Sequence, residues 1–116
     1  MDFALDQDVN VEIEQQRRLL LANPRSAKAH FDLAVLYYSQ RRVDEAIAEF
    51  EAAINCDPSF GRAYRKLGEV YVNLGDYERA GRYAVKAAEF GDNTLLEMFE
   101  RYPAFKGFVE RIEPKG

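Results

Sequence analysis

The feature that most limits what this chain can become is an internal repeat with a period of 34 residues. Setting residues 25–58 above residues 59–92 brings Ala29, Leu33, Tyr37, Ala46 and Ala53 onto Ala63, Leu67, Tyr71, Ala80 and Ala87. Lys28 with Arg62, His30 with Tyr64, Ala34 with Gly68 and Asp44 with Glu78 match in chemistry, and Pro24 and Pro58 are also 34 apart. A unit of this length cannot bury its own apolar face. It stacks on neighbours, and about three units are needed for stability. A chain of 116 residues has room for two full units and two flanks in one domain, residues 1–116.

Within each unit the apolar spacing is helical. Phe31, Val35 and Tyr38 follow at four and three residues, as do Leu33, Tyr37 and Gln40. Val43, Ala46, Ile47, Phe50, Ala53 and Ile54 form a second stripe of the same kind. The second unit repeats this with Tyr64, Leu67, Gly68, Tyr71 and Leu74, then Tyr77, Ala80, Ala84 and Ala87. Between its helices Gly75 can take the left-handed conformation that ends a helix, and Asp76 can cap the next. The first unit has Arg41-Arg42 at that place, so its turn lacks the glycine and should be less favourable. Ala34, Gly68, Ala46, Ala53, Ala80 and Ala87 are small enough for the paired helices to approach closely.

These residues resemble the tetratricopeptide repeat. The first unit carries His30, Leu33, Ala34, Tyr37, Ala46, Phe50, Ala53 and Pro58 in the repeat's spacing, and the second carries Tyr64, Leu67, Gly68, Tyr71, Ala80 and Ala87. The second departs from it with Ala84 at a large position and Asp92 at the proline position, so that hairpin should pack less fully and end differently. The resemblance implies an all-α fold, a right-handed superhelix of antiparallel helical hairpins. Repeat 1 then spans residues 25–58 and repeat 2 residues 59–92.

The flanks read as the missing part of the stack. Residues 9–23 form a leading half-repeat helix, with Asn10 as its cap, Glu12 and Glu14 in its first turns, and Arg17 and Arg18 later. Residues 93–113 form capping helices, opened by Thr94 with Glu97 as a capping box and interrupted at Pro103. Phe105, Phe108, Val109 and Ile112 make this tail unusually apolar. It either folds back over the stack or serves as an interaction surface.

Chemistry for catalysis is missing from the pattern. A convergent site needs several imidazoles, thiols or carboxylates, and the chain has one histidine, His30, at a packing position of the repeat. Gly61, Gly68, Gly75, Gly81 and Gly91 are scattered and form no phosphate loop, while Glu45, Glu49 and Glu51 read as solvated helix faces. No enzyme activity, metal or cofactor is expected. Cys56 alone makes no internal disulfide and reads as a small packed residue near a helix end. A net charge of −4 gives no reason to expect nucleic acid, and no apolar run is long enough for membrane insertion. Met1 to Gln7 has no basic cluster of a secretory signal, so the expected compartment is cytoplasmic, a removed signal being the alternative.

In the family, helix positions free of the packing pattern face a concave groove. Here the resemblance assigns to it Lys28, Phe31, Asp32, Val35 and Tyr38 from the first unit and Arg62, Arg65, Lys66, Glu69 and Val72 from the second. An apolar stripe beside a basic cluster suits a peptide or helix segment with apolar side chains and acidic groups. Relatives that clamp a terminal carboxylate use Lys and Asn side chains. Phe31 and Val35 stand at the first unit's corresponding positions, which argues against that activity. The expected function is therefore a protein-interaction adaptor or scaffold. Beside it stand a homo-oligomerising module, joined through the tail or first helix, and a secretion-type chaperone of a client protein.

Overall fold

The computed structural model describes residues 3–110, with side chains from residue 8 onward. Arg111, Ile112 and Glu113 of the expected last helix fall outside the described residues, as do Met1 and Asp2. Seven α-helices and no strand are found among the described residues. They divide into two compact units, Met1–Pro58 and Ser59–Gly116.

The first unit holds α1 (Phe3–Ala22), α2 (Ala27–Ser39) and α3 (Val43–Cys56). α2 and α3 form a hairpin closed on Leu33, Ala34, Ala46, Phe50 and Ala53, all buried, and α1 lies on α2 through buried Ile13. Ser26 caps α2, its Oγ accepting from the Ala29 N–H at 3.1 Å. α1 begins at Phe3, so Asn10 lies inside the helix and does not cap it. A shift of 34 sets Glu12, Gln16 and Leu19 of α1 on Ala46, Phe50 and Ala53, the residues by which α3 packs on its partner. This face of α1 is therefore largely polar, as suits the end of a stack.

The second unit holds α4 (Gly61–Asn73), α5 (Tyr77–Glu89), α6 (Thr94–Arg101) and α7 (Pro103–Glu110). α4 and α5 repeat the hairpin over Leu67, Tyr71, Ala80, Ala84 and Ala87. With alanine at position 84, the aromatic ring comes from the neighbouring Tyr83, which stacks on Tyr71 at 5.7 Å with the planes 1° apart. α6 adds buried Leu95 and Phe99. α7 starts on Pro103, a position where a missing N–H costs nothing. Thr94 and Glu97 do not form the expected capping box. The Thr94 N–H instead donates to Asp92 Oδ1 at 3.2 Å, and Asn93 precedes the helix without a side-chain cap.

Both hairpin turns close the same way. The N–H of Arg42 donates to the Tyr37 carbonyl at 2.9 Å, and that of Asp76 to the Tyr71 carbonyl at 2.9 Å. This helix-ending motif needs a left-handed residue just before the donor. Gly75 fills that place at φ 78°, and Arg41, its counterpart one period earlier, is forced to φ 60°. Asp76 caps α5 as expected, Oδ1 accepting from the Arg79 N–H at 3.2 Å.

Candidate functional site

The residues expected to hold a ligand lie on the first helix of each hairpin, and the structure gives them unequal roles. On α2, Lys28 Nζ meets Asp32 Oδ2 at 2.7 Å, one turn along an exposed face. Val35 is 39% exposed and Tyr38 half-buried. Phe31 differs from expectation. It is 3% exposed and packs edge-on against Phe50 at 5.6 Å, so it belongs to the hairpin core and cannot line an open surface. Four residues turn the helix by only about 40° beyond a full turn, so Phe31 and Val35 share a face. What separates them is the partner helix, whose Phe50 covers Phe31 while Val35, one turn on, stays partly exposed.

On α4 the expected basic cluster is divided. Arg62 is exposed and Lys66 half-buried. Arg65 is drawn into structure: Nε donates to Asp92 Oδ2 at 2.7 Å and Nη1 to Glu69 Oε2 at 2.9 Å. Both Arg65 and Asp92 are 18% exposed. Partial burial alone would raise the Asp92 carboxyl, but hydrogen bonds from Arg65 and Thr94 outweigh it and hold the carboxyl below its ordinary range. Lys66 Nζ lies 3.7 Å from the other Glu69 oxygen. Asp92, at the repeat's proline position, thus ties the end of α5 to α4 by charge.

Glu69 and Val72 open onto a cleft of about 360 Å³ whose other walls are Asn73, Thr94, Leu95 and Met98. Its walls are apolar at Val72, Leu95 and Met98 and polar at Glu69, Asn73 and Thr94. Reading α6 as a cap hid three of these residues. The signal was present, since Met98 lies beside the inward Leu95–Phe99 pair on an amphipathic helix. A wider cleft, of about 650 Å³, lies in the first unit between α1 and the hairpin, with charges of both signs including Arg17, Arg18, Glu45 and Glu49.

The described part of the tail does not occupy the outward face of α4. Phe105 and Phe108 pack on Tyr77 of α5 at 4.9 and 5.7 Å, Phe105 also meets Phe99 at 5.6 Å, and Val109 is buried. This described part of the tail is folded back within its unit. His30, expected as a packing aromatic, is instead a polar strut: Nδ1 lies 2.6 Å from Glu49 Oε1 and Nε2 2.9 Å from the Pro24 carbonyl oxygen. Among the described residues no group of three or more His, Cys, Asp or Glu side chains could hold a metal ion. No helix among them is long and apolar enough to cross a membrane.

Comparison with known proteins agrees with this architecture. A family model described as TPR repeat matches residues 36–75, and one described as tetratricopeptide repeat matches residues 61–90. An inactive TPR repeat-containing thioredoxin of Arabidopsis thaliana is 30% identical over 83 residues, covering 72% of this chain and 12% of the relative. The small glutamine-rich tetratricopeptide repeat-containing protein 2 of Saccharomyces cerevisiae is 28% identical over 107 residues, 91% of this chain and 31% of its own length. The chain thus spans less than a third of either relative. The crystal structure of MamA superposes with a TM-score of 0.69 at 30% identity, over 87% of this chain and 56% of that one. The repeated hairpins, the two matched repeats and the solved neighbour lead to one conclusion: this chain belongs to the tetratricopeptide-repeat family, has its all-α fold, and is a protein-interaction module.

Proposed function

We propose that the protein is an adaptor that holds a short polypeptide segment on the outward face of α4, anchored by one apolar side chain in the α4–α6 cleft. The observation that carries this is the cleft itself, with apolar walls from Val72, Leu95 and Met98 beside hydrogen-bonding groups on Glu69, Asn73 and Thr94. A few convergent polar groups around an apolar pocket fix both the insertion of a side chain and the direction of the backbone beside it. On α2, exposed Val35 and the Lys28–Asp32 pair offer a second, weaker surface of the same kind. Arg65 supports this surface without binding, because its charge is already matched by Glu69 and Asp92.

Peptides selected from a random display library on the wild-type protein test the reading. They should share an apolar residue at a fixed place and bind at least about tenfold more weakly to Val72→Glu and Met98→Glu, since a buried unpaired carboxylate costs more than 1.4 kcal/mol. Far-UV circular dichroism should be unchanged in both variants. Unaltered affinity in both would remove the cleft from the function.

A further inference from the structure

We propose a second binding site on the outer side of α5, for an acidic segment of a partner protein, separate from the first-helix surfaces. A cleft of about 360 Å³ is lined there by Tyr64, Arg79, Arg82, Tyr83 and Lys86. Arg79, Arg82, Tyr83 and Lys86 follow at helical spacing and share one face of α5. The lining brings three cations together and includes no carboxylate.

These cations are available. Arg82 is exposed and has no ion pair or hydrogen bond among the described residues. Arg79 lies 3.6 Å from Asp76 with a side chain 59% exposed, and Lys86 lies 3.3 Å from Glu89 with both side chains more than a third exposed. Such solvent-exposed pairs contribute little and exchange readily for a better partner. Arg65, fixed by two short bonds, is the contrasting case. Two of the cations are also positioned: the Arg79 guanidinium sits 5.5 Å from the Tyr71 ring centroid and Lys86 Nζ 5.7 Å from that of Phe90. Beneath them the rings are locked, Tyr83 stacked on Tyr71 and Tyr64 on Phe90 at 5.6 Å. A site so ordered loses little entropy on binding.

The repeat itself does not require this set. One period earlier the same positions are Glu45, Ala48, Glu49 and Ala52, in a hairpin of equal construction. The basic character is therefore particular to the second unit, in a chain whose net charge is −4. Its extent selects the ligand. Glu78 and Glu89 also lie on α5, which limits the positive surface to a short patch. Nucleic acid needs a longer basic track. Two or three carboxylates around an aromatic residue fit both the cations and the tyrosine floor.

The test is fluorescence anisotropy with a short fluorescein-labelled peptide of glutamates flanking one phenylalanine. Binding should weaken as salt rises. It should fall roughly tenfold in Arg82→Glu and in Lys86→Glu. Lys106→Glu, an exposed charge reversal on α7, should leave it nearly unchanged, whereas replacing the peptide's phenylalanine and glutamates by lysines should abolish it. Circular dichroism confirms that each variant is folded. The proposal is overturned by no binding to the wild type, by equal binding to Arg82→Glu, or by an equal loss in Lys106→Glu. It is equally overturned if an oligonucleotide binds the wild type more tightly than the peptide in an Arg82-dependent way. Sedimentation supplies the last outcome: a dimer that Arg82→Glu dissolves and the peptide does not would make a second copy the occupant instead.

Discussion

Arg41 holds the one backbone conformation among the described non-glycine residues that its side chain disfavours, at φ 60°. It does so because the turn closes by the same hydrogen bonds as the glycine-bearing turn one period later. Arg41→Gly should raise stability by about 0.5–1 kcal/mol, measured by urea unfolding, since the relief of strain exceeds the added freedom of the unfolded chain. The Arg65–Asp92 pair makes a second prediction at this scale. Asp92→Asn should cost about 1 kcal/mol at neutral pH. Because the folded Asp92 carboxyl lies below its ordinary range, this stabilisation is present above that range and is lost as pH falls through the folded value. The wild type and the variant should therefore converge in stability in acid. Single residues were also where the sequence was hardest to read. Gly75 and Asp76 were legible because a turn's chemistry is local. Phe31 and Val35 looked alike because they share a helix face, and only the packing of Phe50 on Phe31 tells them apart; Arg65 looked free because its partner Asp92 is 27 residues away.

At the scale of elements, the period of 34 made the hairpins α2–α3 and α4–α5 legible, because their packing residues are the repeated ones. Elements outside the repeat had no such register. α1 extends back to Phe3, past the asparagine that looked like its cap. The docking of α7 depends on a glycine that nothing local marks out. A Cβ on Gly81 would lie 2.7 Å from the Phe108 carbonyl oxygen, so α5 and α7 touch backbone to backbone. Gly81→Ala should push α7 from α5, at a cost of about 1–3 kcal/mol. Hydrogen exchange read by mass spectrometry should show faster exchange in residues 103–110 and little change in α2 or α3. Uniform exchange across both units would place the constraint elsewhere.

At the scale of the molecule, most apolar side chains are spent on the two hairpins and their flanking helices, and no buried side-chain polar atom among the described residues lacks a partner. What remains for function is surface, and surface is what a packing repeat leaves unspecified. That is why the family was legible from the sequence while the cleft of Val72, Leu95 and Met98 was not: it joins α4 to a helix outside the repeat. The matched relatives are much longer than this chain, so what they do as whole proteins rests on further segments as well. The most direct test of the account is chemical-shift mapping of the labelled protein with a library-selected peptide. Perturbations should concentrate on residues 69–73 and 94–98, lines the cleft in α4 and α6 would produce. Perturbations confined to α1 and α3, with those residues unmoved, would contradict it.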